Sequence, residues 1–136
     1  MIAALSFTVA LLVTTTYFIL GSIPLLVLKH DTPLDARFVR GFFNIYYVAA
    51  VVTAGGTAIS YAFAGRPALA TGAALLALLA LALRRMIIPR MDALAAAIES
   101  SDLAAIAGFR RTHVAAILVN ILQLAVIVWS LTAARL

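Results

Sequence analysis

Polar side chains are scarce in this chain, and those on its last apolar run are spaced to share one side of a helix. Arg110, His113, Asn120 and Gln123 stand three, seven and three residues apart, a spacing that a 3.6-residue period gathers within one broad face. A histidine at such a place can ligate a metal or carry a proton near neutral pH. Asparagine and glutamine can bond across helices or hold a polar ligand. Asn44 and Tyr47, three apart on an earlier run, make a second small polar face at comparable depth. The other histidine is His30. Two imidazoles that met could hold haem or copper, but the chain has no cysteine and no acid within an apolar run to support them. No metal site and no cofactor is therefore predicted. Haem or copper on His30 and His113 is the alternative. His30 lies between Lys29 and Asp31, where a solvated ring is expected.

The elements that must position these residues are read from the apolar runs. The chain has 136 residues, 65% of them hydrophobic and 11% charged, a composition that belongs in a bilayer. A crossing takes roughly 20 apolar residues, so the length accommodates about four crossings and leaves no room for a soluble domain. We expect an all-α membrane protein of one domain, 1–136, with four transmembrane helices at about 2–28, 41–64, 67–88 and 110–133 in an up-down bundle. An amphipathic cytoplasmic helix, 90–107, falls between helices three and four, because Met91, Leu94 and Ile98 recur at helical spacing with Asp92, Glu99 and Asp102 elsewhere on the wheel.

Local signals sharpen the boundaries. Pro24 lies in the last third of the first run and cannot donate to Leu20, which predicts a kink near Gly21–Ser22. Asp31 or Thr32 ahead of Pro33 resembles a helix cap with proline at the first helical position. In the second run Ala50, Ala54, Ala58 and Ala62 recur every fourth residue beside Gly55–Gly56, which suits close helix approach in lipid. That run is expected to be the central packing helix. Gly65-Arg66-Pro67 reads as a tight turn. Thr14, Thr15 and Thr16 can bond their own backbone, and Tyr17 is expected to face protein.

Charge predicts the orientation. Lys29, Arg37, Arg40, Arg84, Arg85, Arg90, Arg110 and Arg111 fall on one side of a four-crossing chain, and Arg66 and Arg135 on the other. The positive-inside rule then puts the long loops in the cytoplasm and both termini on the non-cytoplasmic side of the cell inner membrane. The net charge of +5 is accounted for by topology and by anionic headgroups on the cytoplasmic side, not by nucleic acid. The expected partners are the bilayer and other membrane subunits or further copies of the chain.

Enzyme motifs are missing: no phosphate-cradling glycine loop, no Gly-x-Ser-x-Gly, no His-Glu-x-x-His. Catalysis would have to rest on unmotifed residues such as His113, Tyr47 or Arg110. Depth counting sets His113 level with Asn44 and Tyr47, and Asn120 and Gln123 level with Thr15, Thr16, Tyr17 and Thr53. A polar seam between helices one, two and four is expected, with helix three outside it.

The pattern Pro89 … Phe109-x-x-x-His113-x-x-x-x-x-x-Asn120, with Gly21-x-x-Pro24 and Phe42-Phe43-x-x-Tyr46-Tyr47 before it, resembles a bacterial membrane domain of unknown function related to the human transmembrane protein linked to cisplatin resistance. The resemblance covers most of the chain. It implies a four-helix membrane protein without an assigned activity, and it directs attention to His113 and Asn120. Ala115 and Ala116 stand where that family carries a small hydroxyl residue. A small four-helix family related to anthrone oxygenases shares the layout.

From residues and resemblance together, the expected function is that of a non-catalytic accessory subunit or binding component of a membrane assembly. The alternative is a small transporter, or a haem- or metal-binding redox protein, working through the seam around His113.

Overall fold

The structure is a computed structural model, and it describes residues 1–133; Arg135 lies outside them. Four helices follow one another: α1 (Ile2–Leu25), α2 (Pro33–Phe63), α3 (Pro67–Glu99) and α4 (Leu103–Ala133). All four are long and apolar enough to cross a membrane, as befits a small integral membrane protein.

Three of the helices are longer than a crossing needs. α2 and α4 have 31 residues each and α3 has 33. At about 1.5 Å per residue they are roughly 46 to 50 Å long, against a hydrocarbon core of about 30 Å. The expected amphipathic segment 90–107 is thus divided. Residues 90–99 continue α3 through Pro89 without a break, and residues 103–107 open α4. The turn at 100–102 separates them, because Asp102 caps α4 by accepting from the Ala104 amide at 2.9 Å. Likewise α2 begins at Pro33, where the cap and first-position proline are expected and eight residues ahead of the apolar run at Gly41, and α1 stops at Leu25, just past Pro24. Thr32 caps α2, its hydroxyl accepting from the Asp35 amide at 3.2 Å.

The α2–α3 and α3–α4 turns share one geometry. Gly65 takes a left-handed backbone with φ +67°, and Arg66 and Gly65 donate back to the Tyr61 and Ala62 carbonyls. At the end of α3, Ser101 takes φ +62°, and Asp102 and Ser101 donate to Ala97 and Ile98. Both are the paired bonds of a Schellman cap, one built on glycine and the other on serine.

Residue pairs show how the helices lie. Arg40 near the start of α2 grips Asp92 near the end of α3 through Nε and Nη2 at 2.7 and 3.0 Å. Arg84 Nε donates to Asn44 Oδ1 at 3.1 Å. Thr8 on α1 meets Tyr61 on α2, and Gly108 on α4 meets Leu94 on α3. The buried stripe of α2 is Ala36, Val39, Phe43, Tyr46, Tyr47, Ala50, Ala54, Thr57 and Tyr61, and α2 packs against both α1 and α3. The four-residue alanine pattern forms part of that stripe only. Ala50 and Ala54 are buried, Ala58 is half-buried and Ala62 exposed. Two glycines seat aromatic rings of the facing helix instead. The Phe7 ring occupies the place of a Cβ on Gly56, and the Phe42 ring that of a Cβ on Gly21.

Candidate functional site

The core is built around an aromatic stack on α1 and α2. Phe18 stacks on Tyr46 with ring centroids 3.9 Å apart and on Phe42 at 5.3 Å, and meets Phe43 edge-on at 4.8 Å. Against it α4 turns Phe109, Thr112, His113, Ala116, Ile117, Asn120, Gln123 and Ile127, all buried. This is the face that the spacing of His113, Asn120 and Gln123 predicts. It points inward because a polar group left in hydrocarbon without a partner is costly.

Midway along the bundle the seam is closed by Tyr46. Its hydroxyl donates to Asn120 Oδ1 at 2.9 Å and lies 3.4 Å from Gln123 Oε1. Asn120 Nδ2 donates to the Ala116 carbonyl at 2.8 Å. The threonines around it satisfy themselves: Thr15 donates to Leu11 O, Thr53 to Ala49 O and Thr57 to Thr53 O.

The second half of the seam is the meeting of the two histidines. His30 and His113 are both fully buried, at 0% exposure, and His30 Nε2 stands 3.2 Å from His113 Nδ1. The ring centroids are 5.3 Å apart, close to the nitrogen separation plus two ring radii, so the two nitrogens point at each other nearly head-on. Phe43 meets the His113 ring edge-on at 5.1 Å, and Phe109 covers His30 at 5.6 Å. His30 therefore does not follow the expectation of a solvated ring. The seven-residue connection 26–32 folds inward there, and His30 adopts φ +57°, a left-handed backbone that non-glycine residues rarely take. Lys29 and Asp31 on either side remain exposed. Burial holds the His30 pKa below the ordinary histidine value, with Asp35 acting against it.

Among the described residues, three buried side-chain polar atoms lack a hydrogen-bond partner: His30 Nδ1, His113 Nε2 and Tyr47 Oη. The two nitrogens belong to the histidine end of the seam; the Tyr47 ring packs on Phe43, as His113 does, while its hydroxyl lies toward Asn120. The Leu28 carbonyl lies beside His30 and the Ser22 carbonyl beside His113, without closing a hydrogen bond to either outer nitrogen.

Of the residues singled out from sequence, His113, Asn120, Gln123 and Tyr47 come together in the interior, and His30 joins them. Asn44 does not: it is half-buried and bound to Arg84 of α3. Arg110 is exposed on the outside of α4. Tyr17 is 71% exposed and faces away from the bundle. Tyr46 is the residue that the spacing argument missed. Its signal was the 3–4 alternation through Val39, Phe43, Tyr46 and Ala50, which is rotated by about one residue from the face chosen through Asn44 and Tyr47. At the far end a groove of about 510 Å³ opens between the helices, edged by Thr8, Thr57, Tyr61, Arg66, Trp129 and Ser130.

A porphyrin held between the two imidazoles would need the nitrogens drawn apart from 3.2 Å to about 4 Å and, because the macrocycle is broad, the Phe43 and Phe109 rings displaced from the histidines they cover. A site built from three or more His, Cys, Asp or Glu side chains is not found among the described residues. No family model, no curated protein and no solved structure matches the chain.

Proposed function

We infer that this chain is a non-catalytic binding component of a membrane assembly, held in the cell inner membrane as an up-down bundle with both termini on the non-cytoplasmic side. The orientation rests on the basic residues, eight of which cluster at the His30 end of the bundle while Arg66 lies at the other. The observation that carries the functional reading is the contrast between the two halves of the seam. The Tyr46–Asn120–Gln123 half is closed on itself and serves to fix the register of the helices. The histidine half is buried, held at the cost of a left-handed backbone, and left with unpartnered nitrogens. Buried polar groups are normally satisfied, so this half has binding capacity that the fold does not use.

The seam offers little to transport. Outside the histidine pair and Tyr47 its polar groups are bonded in pairs or to their own helix, and no acid lies among them. The outward surface is apolar and rich in exposed Leu, Ile, Val and Phe, as suits lipid or other membrane helices.

Extraction from native membranes in a mild detergent tests this reading. The chain is expected to migrate at a native mass above that of a monomer in its micelle. A monomer under conditions that preserve other assemblies of that membrane would overturn it. Orientation is tested separately. Because the chain has no cysteine, Ser101→Cys and Ala68→Cys, both at exposed positions, can be labelled alone. A membrane-impermeant thiol reagent added to intact cells should reach Ala68→Cys and not Ser101→Cys.

A further inference from the structure

We propose that the His30–His113 pair is a two-coordinate site for a monovalent soft metal ion, cuprous copper. The proposal rests on reading the histidine half of the seam as a binding centre, and it names what that centre holds.

The argument begins with protons. Two neutral imidazoles carry two N–H groups. In the closed pair one of them lies between the rings, on either Nε2 of His30 or Nδ1 of His113. Only one outer nitrogen then has a proton, and the other presents a bare lone pair in a buried setting with no donor near it. Each tautomer therefore leaves one outer nitrogen mismatched with its surroundings, where the neighbouring groups are the carbonyls of Leu28 and Ser22. A cation between the inner nitrogens removes the mismatch. Both inner lone pairs bind the ion, and the displaced proton moves to the outer nitrogen of its own ring. Both outer nitrogens are then N–H donors, and each ring has a backbone carbonyl near it that can accept, Leu28 by His30 and Ser22 by His113. Histidines that ligate metals are held in this way by a carbonyl or carboxylate on the second nitrogen. No proton is lost and no electron is transferred; two bonds to the ion form and one hydrogen bond breaks.

Geometry selects the ion. The nitrogens face each other head-on, the direction required by two collinear bonds. At about 2 Å per metal–imidazole bond, a linear unit spans about 4 Å, so the rings must separate by somewhat under 1 Å from 3.2 Å. His30 lies on a connecting segment rather than on a helix, so it is the partner that can yield. Zinc takes four ligands and calcium or magnesium takes six or more oxygens. Neither is served by two nitrogens with no third His, Cys, Asp or Glu grouped with them among the described residues. Cuprous copper is content with two. Charge agrees: Asp35 and Asp31 act on His30 with negative charge, opposed by Arg110. The ion arrives from the aqueous side, since the exposed Lys29 and Asp31 flank His30 directly.

The test uses the full chain purified in detergent, titrated anaerobically with cuprous ion against a coloured cuprous chelator, with zinc in a parallel arm. His30→Gly is the primary variant. It deletes the imidazole, and glycine suits φ +57°, so the fold is retained. His113→Ala is the second. Expected results are retention of cuprous ion by the wild type, loss in both variants, no comparable retention of zinc, and an X-ray absorption edge typical of two-coordinate cuprous copper. Failure of the wild type to retain the ion, equal retention by His30→Gly, or an edge showing three or more ligands would overturn the proposal. An assembly-sized native mass with no copper retention would sink the metal and leave the binding component standing. A bare monomer that still retained copper would do the reverse.

Discussion

Tyr46 on α2 and Asn120 on α4 are joined by a 2.9 Å hydrogen bond across the interior of the bundle, and they stand 74 positions apart in sequence. Removing the donor leaves the Asn120 oxygen buried without it. Tyr46→Phe is therefore expected to lower stability by about 1 kcal/mol, in the range of interhelical hydrogen bonds in membranes. Combined with Asn120→Leu in a double-mutant cycle, the two changes should be less than additive, because they remove the same bond. Reversible unfolding in mixed detergent micelles measures both.

Gly56 makes a different kind of contact. A Cβ there would come within 2.5 Å of the Phe7 ring. Gly56→Ala should destabilise by about 1 to 2 kcal/mol, the lower part of the usual range for overpacking. The ring is part-exposed and can turn outward, which keeps the loss modest. In a Phe7→Ala background the same change should be nearly neutral, as a thermal-shift comparison of the four proteins would reveal.

The serine of the α3–α4 turn is strained where the glycine of the α2–α3 turn is not. Ser101 holds φ +62°, a conformation that costs an L-residue roughly 1 to 2 kcal/mol. Ser101→Gly should raise stability by about 0.5 to 1 kcal/mol, the remainder being offset by the greater freedom of glycine in the unfolded chain. The same substitution at exposed Ser100, at φ −86°, should not stabilise. Melting temperatures of the pair decide the matter.

Acid should weaken the metal-free protein. An unfolded histidine takes up its proton near pH ~6.5, whereas burial keeps His30 neutral to lower pH. Between those two values the unfolded state binds more protons, so stability falls as pH drops below about 6.5 and levels off under the folded pKa. The melting temperature should decline as pH is lowered through about 6.5, the unfolded value. His30→Gly should show a shallower decline over the same window, since it lacks the buried imidazole.

The bundle itself was legible in the residues because apolar runs of crossing length have few alternatives. So was the inward face of α4, since His113, Asn120 and Gln123 cannot all face lipid. Helix ends were harder. α2 and α3 run past their apolar stretches because Thr32–Pro33 and the Schellman turn at Ser101 act as stops, and neither is a hydropathy signal. The buried face of α2 is rotated by about one residue from the one through Asn44 and Tyr47, because the rings of Phe43 and Tyr46 set the packing. Asn44 finds its partner in Arg84 on α3, a residue whose charge suggested the headgroups. The meeting of His30 with His113 was open only as the alternative to a solvated His30, and nothing local chose between them. It depends on a connection of seven residues folding inward, through a backbone conformation that no histidine prefers.

The two long-range bonds of the seam also set an order of assembly. Domains and helices emerge from the ribosome N-terminal first. His30 waits 83 residues for His113, and Tyr46 waits 74 for Asn120. Until α4 inserts, the first three helices carry a phenol in the membrane and an imidazole at its edge that nothing yet answers. The last helix is thus the one that completes the interior, and a nascent chain halted before it would expose to the membrane's quality control the groups that the mature protein hides.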